Sequence, residues 1–533
     1  MKLASKVLLA VAAAICANTI RLTVIVNLRS RRLRRANPTL KVIPVIIGVR
    51  SPLHLLGLLP SWFPSRVKPN WSFRSKYDEA ANTVGDRFAL CMPDSTMLVL
   101  CDGRVCRDIM MNRSREIMKP FESYTVLDVY GELDATSYGK NLVTTEGEVW
   151  RRHKKIVAPA FSERNNARVH EVVCRIADSM FASWEQSNQS GTEERIINVG
   201  PDMMELALSV ISSAGFGVDI PWHTEDQNSS TFHSGKHTLS FKQALEVITT
   251  NGFLWSLLPK FLFSLPIKFL RSIKTGAEEF GEYLDEIADL AESNIQEHPT
   301  NLIELLVKAG SEDNNTSAKL SRNELKGNMF IFLFAGHETT ANTLTFALAL
   351  LALNPEKQKK LFDEIQRELN GNKPTYSDLS KLKYALAIMN ETLRMFPPVN
   401  NIPKITTGSE WTDIDGTVVP PKTNVRISAV GMHYNPNIWG PTVNEFKPER
   451  FLEDGDLEFS TTKLGFAAFS EGPRACVGKK FAQIEFVTLL TLVSQKYTWR
   501  VADEKLTKEY VLDAKVILVL NPANPVRLAF TAR

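Results

Sequence analysis

One cysteine stands in a setting that suits a metal ligand. The stretch FSEGPRACVG, residues 469–478, places Cys476 among Gly472, Arg474 and Gly478. A cysteine ligates a metal as the thiolate, which nearby hydrogen-bond donors and positive charge stabilise. The two glycines permit tight turns that bring backbone N–H groups towards the sulfur, and the arginine adds charge. A helix predicted directly after the stretch adds its N-terminal dipole. The pattern indicates a protected thiolate, with a buried free cysteine as the alternative.

A second stretch places an acid beside an alcohol inside an apolar segment. AGHETT, residues 335–340, contains Glu338 and Thr339. The structural interpretation is that Thr339 donates a hydrogen bond to the Ala335 carbonyl and bends the helix. The functional interpretation is proton delivery, because a buried, unpaired glutamate is otherwise costly. His337 fits neither role and is interpreted as structural.

Two other short patterns contain charged residues that an ordinary surface position would explain. Glu391 and Arg394 in ETLR share one face of a predicted helix, which alone is typical of a surface ion pair. Trp150 and Lys154 are four residues apart in GEVWRRHKK, where a solvated basic helix face is the alternative.

These residues need long helices to position them. The longest predicted helix covers 323–353, begins with a capping box of Ser321 and Glu324, and is apolar nearly all round, as a buried central helix would be. Three further helices are predicted. The first runs from Pro355 to Leu369 and is stopped by Gly371, the second ends at Phe396, and the third runs from Lys479 to Leu490. Strands are predicted in 88–103 and in a hairpin within 411–430 that turns at Asp415-Gly416.

Composition places the chain among ordinary globular proteins. Of 533 residues, 44% are hydrophobic and 23% charged, and the net charge of +4 indicates no nucleic-acid face. The cysteines form no C-x-x-C pair and no disulfide framework is expected, so Cys91, Cys101, Cys106 and Cys174 are interpreted as small core residues. Since no linker or repeat follows the leader, we expect one domain over 36–533.

The leader, residues 1–35, has the character of a membrane anchor. Its apolar run of 11 residues, Val7–Ala17, is followed by RSRRLRR at 29–35. Val7–Leu28 is close to the length of about 20 residues that spans a bilayer, although Arg21 within it is costly. The arginines favour a retained anchor with the body on the cytoplasmic side, and a cleaved secretory signal is the alternative.

Together the motifs resemble one family. F-S-E-G-P-R-A-C-V-G matches the pattern F-x-x-G-x-R-x-C-x-G of the cytochrome P-450 family of haem-thiolate monooxygenases, and FAQIE at 481–485 is similar to its proximal helix. A-G-H-E-T-T and E-T-L-R resemble two further family motifs, in the family's order. The style of the motifs is closest to fungal microsomal members. The resemblance implies a mainly α fold with small β-sheets, a triangular helical body and a long central helix, the I helix.

The resemblance also implies roles for individual residues. Cys476 would be the axial ligand of haem b, within a loop that contributes Phe469, Arg474 and Gly478 to the cofactor site. Thr339 would hydrogen-bond the bound dioxygen, over a widened helix, and Glu338 would supply protons. Arg450, in PERF at 448–451, would join Glu391 and Arg394 in a structural network that holds the cysteine loop.

Three more residues would contact the haem propionates. The resemblance assigns this role to Trp150, to Lys154 and to Lys404 in PPVNNIPKI. Both lysines occupy positions where the family often has arginine, and a lysine lacks the bidentate fork of a guanidinium.

The implied reaction inserts one oxygen atom of O2 into a lipophilic small molecule, of terpenoid, steroid or polycyclic aromatic class, in fungal secondary metabolism or xenobiotic oxidation. The alternatives are a haem-thiolate isomerase or dehydratase that does not use O2, and a non-catalytic haem sensor. Because the chain has no GxGxxG fingerprint, a separate NADPH-cytochrome reductase is expected, with Lys479 and Lys480 in its docking face.

Two further predictions concern the membrane environment of the protein and the walls of its substrate pocket. The protein is expected in the endoplasmic reticulum membrane through a single-pass N-terminal anchor, with the apolar segment 253–270 as a second lipid contact or as core. Pocket walls are expected from 120–140, from Phe334 and Ala335, and from 400–403, where Asn400 and Asn401 are either ligand contacts or loop residues.

Overall fold

The structure, a computed structural model, describes residues 2–45, 73, 85–120, 139–186, 193–220, 222, 237–258, 260–293, 301–312, 319–452, 464–516 and 519–533. The chain forms two compact units. Unit 1 consists of Met1–Pro120, Val399–Glu445 and Leu457–Ala475, and unit 2 of Phe121–Pro398, Phe446–Asp456 and Cys476–Arg533.

The helices and strands have the following bounds. The helices are α1 (Lys2–Ala36), α2 (Gly103–Met111), α3 (Gly147–Val157), α4 (Glu163–Gln186), α5 (Val199–Val210), α6 (Phe241–Leu257), α7 (Lys268–Ser293), α8 (Leu302–Glu312), α9 (Arg322–Leu353), α10 (Pro355–Leu369), α11 (Lys383–Met395), α12 (Ala429–His433), α13 (Pro436–Trp439), α14 (Lys479–Lys496) and α15 (Lys508–Val511). The strands are β1 (Lys41–Pro44), β2 (Arg87–Cys91), β3 (Thr96–Leu100), β4 (Ile117–Met118), β5 (Glu194–Asn198), β6 (Asn401–Thr406), β7 (Thr412–Ile414), β8 (Thr417–Val419), β9 (Asn424–Ser428), β10 (Tyr497–Val501), β11 (Ala514–Val516), β12 (Leu520–Pro522) and β13 (Arg527–Ala532). The mainly helical fold with small sheets is thus as predicted.

Unit 1 is built on a six-stranded mixed sheet in the order β1-β2-β3-β9-β6-β4. Strands β3 and β9 are parallel, whereas β2 and β3, β9 and β6, and β6 and β4 are antiparallel. Because side chains alternate along a strand, the sheet has two faces. One face packs in a core with α1 and α2, and the other carries a smaller apolar cluster of Phe88, Leu90, Met92, Met97 and Val99.

The C-terminal half of α1 packs against this unit. Val26 and Leu33 are 1% and 2% exposed within the core cluster of the sheet, and Arg29 donates a hydrogen bond to the Met92 carbonyl at 2.9 Å. The predicted membrane span Val7–Leu28 is therefore wrong around Val26, because that side chain contacts protein. Among the described residues, no helix combines the length and apolarity needed to cross a bilayer.

Unit 2 is organised around α9. The predicted capping box is present: the Ser321 hydroxyl accepts a hydrogen bond from the Glu324 N–H, and the Glu324 carboxylate accepts one from the Ser321 N–H. Because the helix is apolar on every side, neighbours surround it, among them α5, α7, α11 and α14. Its bounds agree with the predicted 323–353.

Two predicted chain reversals are present, one at the end of α10 and one in the hairpin. Helix α10 ends after Leu369 as expected, but the left-handed residue that first terminates it is Asn370 (φ 48°), with Gly371 (φ 79°) next. The predicted hairpin is β7-β8, whose turn residues Asp415 and Gly416 have φ of 51° and 76°. Positive φ at both positions is typical of the type I′ turn, which joins the two strands of a hairpin through a two-residue loop.

Candidate haem-thiolate site

The Cys476 thiol lies in the loop directly before α14, whose N-cap residue is Gly478. Its side chain is exposed, yet desolvation by surrounding protein raises the pKa of the thiol, while a hydrogen bond from the Gly478 N–H and the charge of Lys479 lower that pKa. The side chain is thus open to a ligand although surrounding protein desolvates the thiol. The backbone donor expected beside the sulfur is present.

The two glycines of the loop have different roles. Gly472 has φ +71°, and a Cβ there would lie 2.4 Å from the Met110 carbonyl oxygen, so only glycine fits this turn. Gly478 lies in the turn directly before α14, as predicted, and its φ of −85° and ψ of 8° are typical of a type I turn, which does not itself require glycine. A Cβ at Gly478 would lie 3.9 Å from the Cys476 sulfur. Glycine therefore leaves room beside the sulfur.

The remaining predicted members of the loop precede the cysteine. Arg474 ends a short 3₁₀ helix, Gly472–Arg474, and Phe469 is half-buried. Between them Ser470 has a positive φ of 56°, so the loop makes two successive sharp turns before it reaches Cys476.

Phe161 is a neighbour of this loop that sequence reasoning missed. A Cβ at Gly478 would lie 3.7 Å from its ring, and the ring also packs edge-on against Phe332 of α9, with centroids 5.7 Å apart. Both contacts join residues far apart in the sequence, so no local pattern marks Phe161. This aromatic ring connects the cysteine loop with the central helix.

The acid and the alcohol lie together in the middle of α9. The Thr339 hydroxyl donates to the Ala335 carbonyl at 2.7 Å, as in the structural interpretation, and α9 is helical on both sides of this bond. The donated bond leaves the oxygen lone pairs of Thr339 available to accept another hydrogen bond. Ala335 is exposed, and Gly336, Glu338 and Thr339 are half-buried, which indicates an open space beside this part of the helix.

Glu338 has an unusual electrostatic environment. Desolvation raises the pKa of its carboxyl to about 7. Among the described residues none forms a hydrogen bond or ion pair with this carboxyl, so it holds and releases a proton near neutral pH. His337, by contrast, is buried with Nδ1 2.6 Å from the Leu333 carbonyl oxygen, and burial lowers its pKa to about 4. The histidine is neutral and structural, as expected.

The structure brings Glu391, Arg394 and Arg450 together out of solvent. Arg394 donates from Nε and Nη2 to the two oxygens of Glu391 at 2.7 and 2.8 Å. Arg450 Nε lies 3.4 Å from Glu391 Oε1, and the Lys447 N–H donates to the same oxygen at 2.9 Å. The glutamate therefore fastens α11 to the short helix Pro448–Phe451. The surface-pair interpretation is wrong, since neither Glu391 nor Arg394 has exposed surface.

Trp150 and Lys154 lie on adjacent turns of α3, with the lysine Nζ 5.2 Å from the indole centroid. A buried histidine between them was missed. His153 Nδ1 lies 3.1 Å from the Asn328 amide nitrogen, which donates to it, and its Nε2 lies 3.3 Å from Glu324. Because Arg152 also pairs with Glu324, α3 is held against the first turns of α9.

Lys404 lies in β6 of unit 1 and is only 3% exposed. It stands opposite Val425 of β9, on the face of the sheet that packs in the core with α1 and α2. The predicted pocket walls Asn400, buried, and Pro403, half-buried, flank it along the chain. Residues 121–138 of the wall predicted at 120–140 lie outside the described residues.

The family profile of cytochrome P-450 matches residues 58–529. The chain belongs to the cytochrome P-450 family. It is 35% identical to cytochrome P-450 monooxygenase 124 of Postia placenta over 90% of this chain and 89% of the relative. It is 28% identical to a cytochrome P-450 monooxygenase of Arthrobotrys oligospora over 82% and 80% of the two chains. Cytochrome P-450 3A11 of Mus musculus is 25% identical over 88% and 89%.

Membership of the P-450 family establishes the general chemistry. The protein is an oxidoreductase of the monooxygenase type, whose cofactor is haem with a cysteine thiolate ligand, and such enzymes use O2, a small-molecule substrate and a reductase. The residues of this chain fit the cofactor. Cys476 offers an accessible sulfur with a backbone donor and no side chain at Gly478 to crowd it, and among the described residues no histidine-cysteine-carboxylate cluster offers a competing metal site.

Proposed function

We propose that Cys476 is the axial ligand of the haem iron in this P-450. The observation that supports it most is the desolvated but accessible sulfur, to which the Gly478 N–H donates. A hydrogen bond and a nearby lysine stabilise negative charge on the sulfur, which favours coordination as thiolate. Phe469, Arg474 and Gly478 belong to the same loop and surround the cofactor on this side.

The test is the carbon monoxide difference spectrum of the reduced holoprotein. The unaltered protein should give the red-shifted Soret band of a thiolate-ligated haem, and Cys476→Ser should lose that band. Cys174→Ser is the control, since Cys174 is a half-buried thiol in α4 outside this loop. A Cys476→Ser protein that keeps the thiolate-type band would refute the assignment.

Thr339 and Glu338 are proposed as the residues that manage protons and dioxygen. Haem with a thiolate ligand, when bound, activates O2 so that one oxygen atom enters the substrate and the other leaves as water. Glu338 has the pKa of a group that exchanges protons near neutral pH. Thr339 keeps an acceptor site on its hydroxyl while it donates to Ala335. Because an isomerase, a dehydratase or a haem sensor has no need of this pair, it supports the monooxygenase.

Supporting roles are proposed for the charged residues around the site. Glu391, Arg394 and Arg450 maintain the architecture near the cysteine loop rather than take part in the reaction. Trp150, Lys154 and Lys404 are proposed to bind the haem propionates. The adjacent positions of Trp150 and Lys154 on one helix surface support a joint contact to one propionate.

The substrate is proposed to be a lipophilic small molecule of terpenoid, steroid or polycyclic aromatic class, in fungal secondary metabolism or xenobiotic oxidation. The apolar residues at the predicted pocket positions, such as the exposed Ala335 and the half-buried Pro403, support an apolar substrate. Reconstitution with a reductase and a mass-spectrometric screen of these three classes tests the proposal. Product formation without O2 would instead support the isomerase.

The electron donor is proposed to be an NADPH-cytochrome reductase. Lys479 and Lys480, at the start of α14, are exposed and lie next to Cys476 in the chain, so they suit a basic docking face for an acidic partner. A charge-reversal double variant at these lysines should slow reduction, and an unchanged reduction rate would contradict the proposal.

The protein is proposed to attach to the endoplasmic reticulum membrane, with its body in the cytoplasm. Phe261 and Ile267, between α6 and α7, and Phe269, in the first turn of α7, are 70%, 48% and 53% exposed. Helix α1 exposes Ile20 and Leu28 on the side away from Val26. Large exposed apolar side chains are typical of lipid contacts. Replacement of Phe261 and Phe269 by serine should weaken flotation with liposomes. Unchanged flotation would assign the segment to another role.

A further inference from the structure

A cavity opens in unit 1 where the end of α1 meets the sheet. Its volume is about 290 Å³, at the lower end of the range of about 300–1,000 Å³ that is typical of ligand pockets. The walls come from the last turns of α1, from the turn between β2 and β3, from Trp411 just before β7, and from the segment that joins β8 to β9. All four parts belong to unit 1, so the cavity is formed within a single compact unit.

The charge on the walls is mainly positive. Three cations line the cavity, Arg29, Arg32 and Lys422, against a single carboxylate, that of Asp94. In the part of the chain that the structure describes, no carboxylate forms an ion pair with any of these three cations. Like charges that are brought together without a counter-ion repel one another, and a bound anion relieves that repulsion. The cavity therefore suits an anion.

Two of the cations are held at the wall by contacts that do not neutralise them. Arg29 is half-buried and donates from Nη1 to the Met92 carbonyl at 2.9 Å, which leaves other N–H groups of its guanidinium for a ligand. The guanidinium carbon of Arg32 lies 5.1 Å from the centroid of the Trp411 ring, in a cation–π contact. Both charges are thus positioned at the cavity and remain available to an anion.

An exposed apolar stripe on α1 ends beside the cavity. Ile20, Val24 and Leu28 follow one another at intervals of four residues and are 66%, 52% and 59% exposed. Side chains four residues apart are neighbours on the surface of a helix, so Arg32 lies one turn beyond Leu28. The half-buried Trp411 lines the cavity, and tryptophan is enriched at the headgroup level of membranes. The surroundings of the cavity therefore favour a lipid over a soluble anion.

We propose that this cavity binds the phosphate headgroup of an anionic phospholipid whose acyl chains lie along the stripe of Ile20, Val24 and Leu28. The inference rests on the membrane attachment proposed above. Phosphate oxygens accept hydrogen bonds from the planar forks of Arg29 and Arg32, and a lysine such as Lys422 contributes a compact positive charge. The headgroup fills the cavity while the chains cover apolar surface that is otherwise exposed to water.

Isothermal titration calorimetry of the holoprotein measures headgroup binding in solution. The probes are dihexanoylphosphatidic acid, dihexanoylphosphatidylcholine and inorganic phosphate. Dihexanoylphosphatidic acid should bind about tenfold or more tightly than either of the other two, and the double variant Arg32→Gln with Lys422→Gln should weaken its binding about ten- to hundredfold. The double variant Arg32→Lys with Lys422→Arg keeps both charges and should retain most of the affinity.

A matched control separates the cavity from the general basicity of α1. Arg31→Gln with Arg35→Gln removes the same number of charges from exposed positions of the same helix that do not line the cavity, and it should leave the binding of dihexanoylphosphatidic acid unchanged. Because both double variants alter exposed side chains, their midpoints of thermal unfolding should match that of the unaltered protein. Equal weakening in the two double variants would overturn the inference, as would inorganic phosphate that binds as tightly as the lipid.

Vesicle flotation tests the membrane source of the ligand. The full-length holoprotein should bind vesicles of phosphatidylcholine mixed with phosphatidic acid more tightly than vesicles of phosphatidylcholine alone. This preference should persist in Phe261→Ser with Phe269→Ser and disappear in Arg32→Gln with Lys422→Gln, and its survival in the latter variant would contradict the headgroup site. Absence of binding to either vesicle, with binding of dihexanoylphosphatidic acid in solution retained, would refute the membrane attachment and leave the headgroup site standing.

Discussion

The Glu391 carboxylate accepts two hydrogen bonds from the Arg394 guanidinium, at 2.7 and 2.8 Å, and neither side chain has exposed surface. The pair lies one helical turn apart in α11, and Lys447 and Arg450 approach the same carboxylate from another part of the chain. A pair of residues that the sequence alone would place on the surface is thus buried, and it holds a distant segment of the chain in place.

Removal of one partner of this pair should destabilise the protein strongly. Glu391→Gln leaves two buried guanidinium groups without their counter-charge, so we expect a loss of about 3–5 kcal/mol in the free energy of unfolding. Denaturant unfolding of the holoprotein measures it. The control is Asp363→Asn, which breaks the Lys359–Asp363 pair at 2.6 Å with side chains 75% and 55% exposed; it should cost about 1 kcal/mol or less. Equal losses would contradict a special role for burial.

Activity should fall as pH rises past the pKa of Glu338. The carboxyl is protonated below a pKa of about 7, so its capacity to donate a proton declines above that value. Glu338→Gln should lower turnover and flatten this limb of the pH profile. Thr339→Ser should keep product formation coupled to NADPH consumption, and Thr339→Ala should uncouple them. An unchanged profile in Glu338→Gln would exclude the carboxyl as proton donor.

The same carboxyl should affect stability with a definite sign. Its pKa of about 7 in the folded protein lies above the unfolded value of about 4.3. The folded state therefore binds more protons between these values, and the free energy of unfolding decreases as pH rises through that window. Glu338→Gln should remove this contribution, so its stability relative to the unaltered protein should increase from pH 5 to pH 8. A constant difference across that range would contradict the raised pKa.

Gly472→Ala should destabilise the cysteine loop. The left-handed conformation costs about 1–2 kcal/mol for a residue with a Cβ, and the clash with the Met110 carbonyl adds about 1–3 kcal/mol. Gly416→Ala is the control, because Gly416 has φ +76° and no atom within 4 Å of the added Cβ. Thermal unfolding and the rate of haem loss distinguish the two variants. Equal effects would mean that the contact with Met110 is unimportant.

Lys404 should help to retain haem. Lys404→Met should speed haem transfer to an excess of an apo-globin acceptor, and Lys404→Arg should slow it, because the guanidinium restores a bidentate contact to carboxylate. Arg426→Met is the matched control, since it removes a cation from the other face of the same sheet. Equal rates in Lys404→Met and the unaltered protein would exclude the propionate contact.

The helices and the capping box of α9 could be predicted because their signals are local: the Ser321–Glu324 spacing, Pro355 and the apolar run all lie within one element. The motif residues Cys476, Glu338 and Glu391 could also be found. Phe161 and His153 were missed because their roles depend on contacts between segments far apart in the chain. Burial of Val26 escaped prediction for the same reason, as an apolar helix face looks alike whether lipid or a sheet covers it.

The pairing of β3 with β9 has a consequence for biosynthesis. Strand β3 is synthesised early and has no partner on one side until β9, its neighbour in the sheet, is made. The hydrogen bonds between Asn37 and Val418, 381 positions apart, likewise connect early and late parts of the chain. At about 5–20 residues per second the ribosome needs about 20–60 s between these strands. During that interval an unpaired strand edge of the nascent chain is open to aggregation. A polypeptide that ends before residue 424 therefore keeps this edge of β3 without its partner strand.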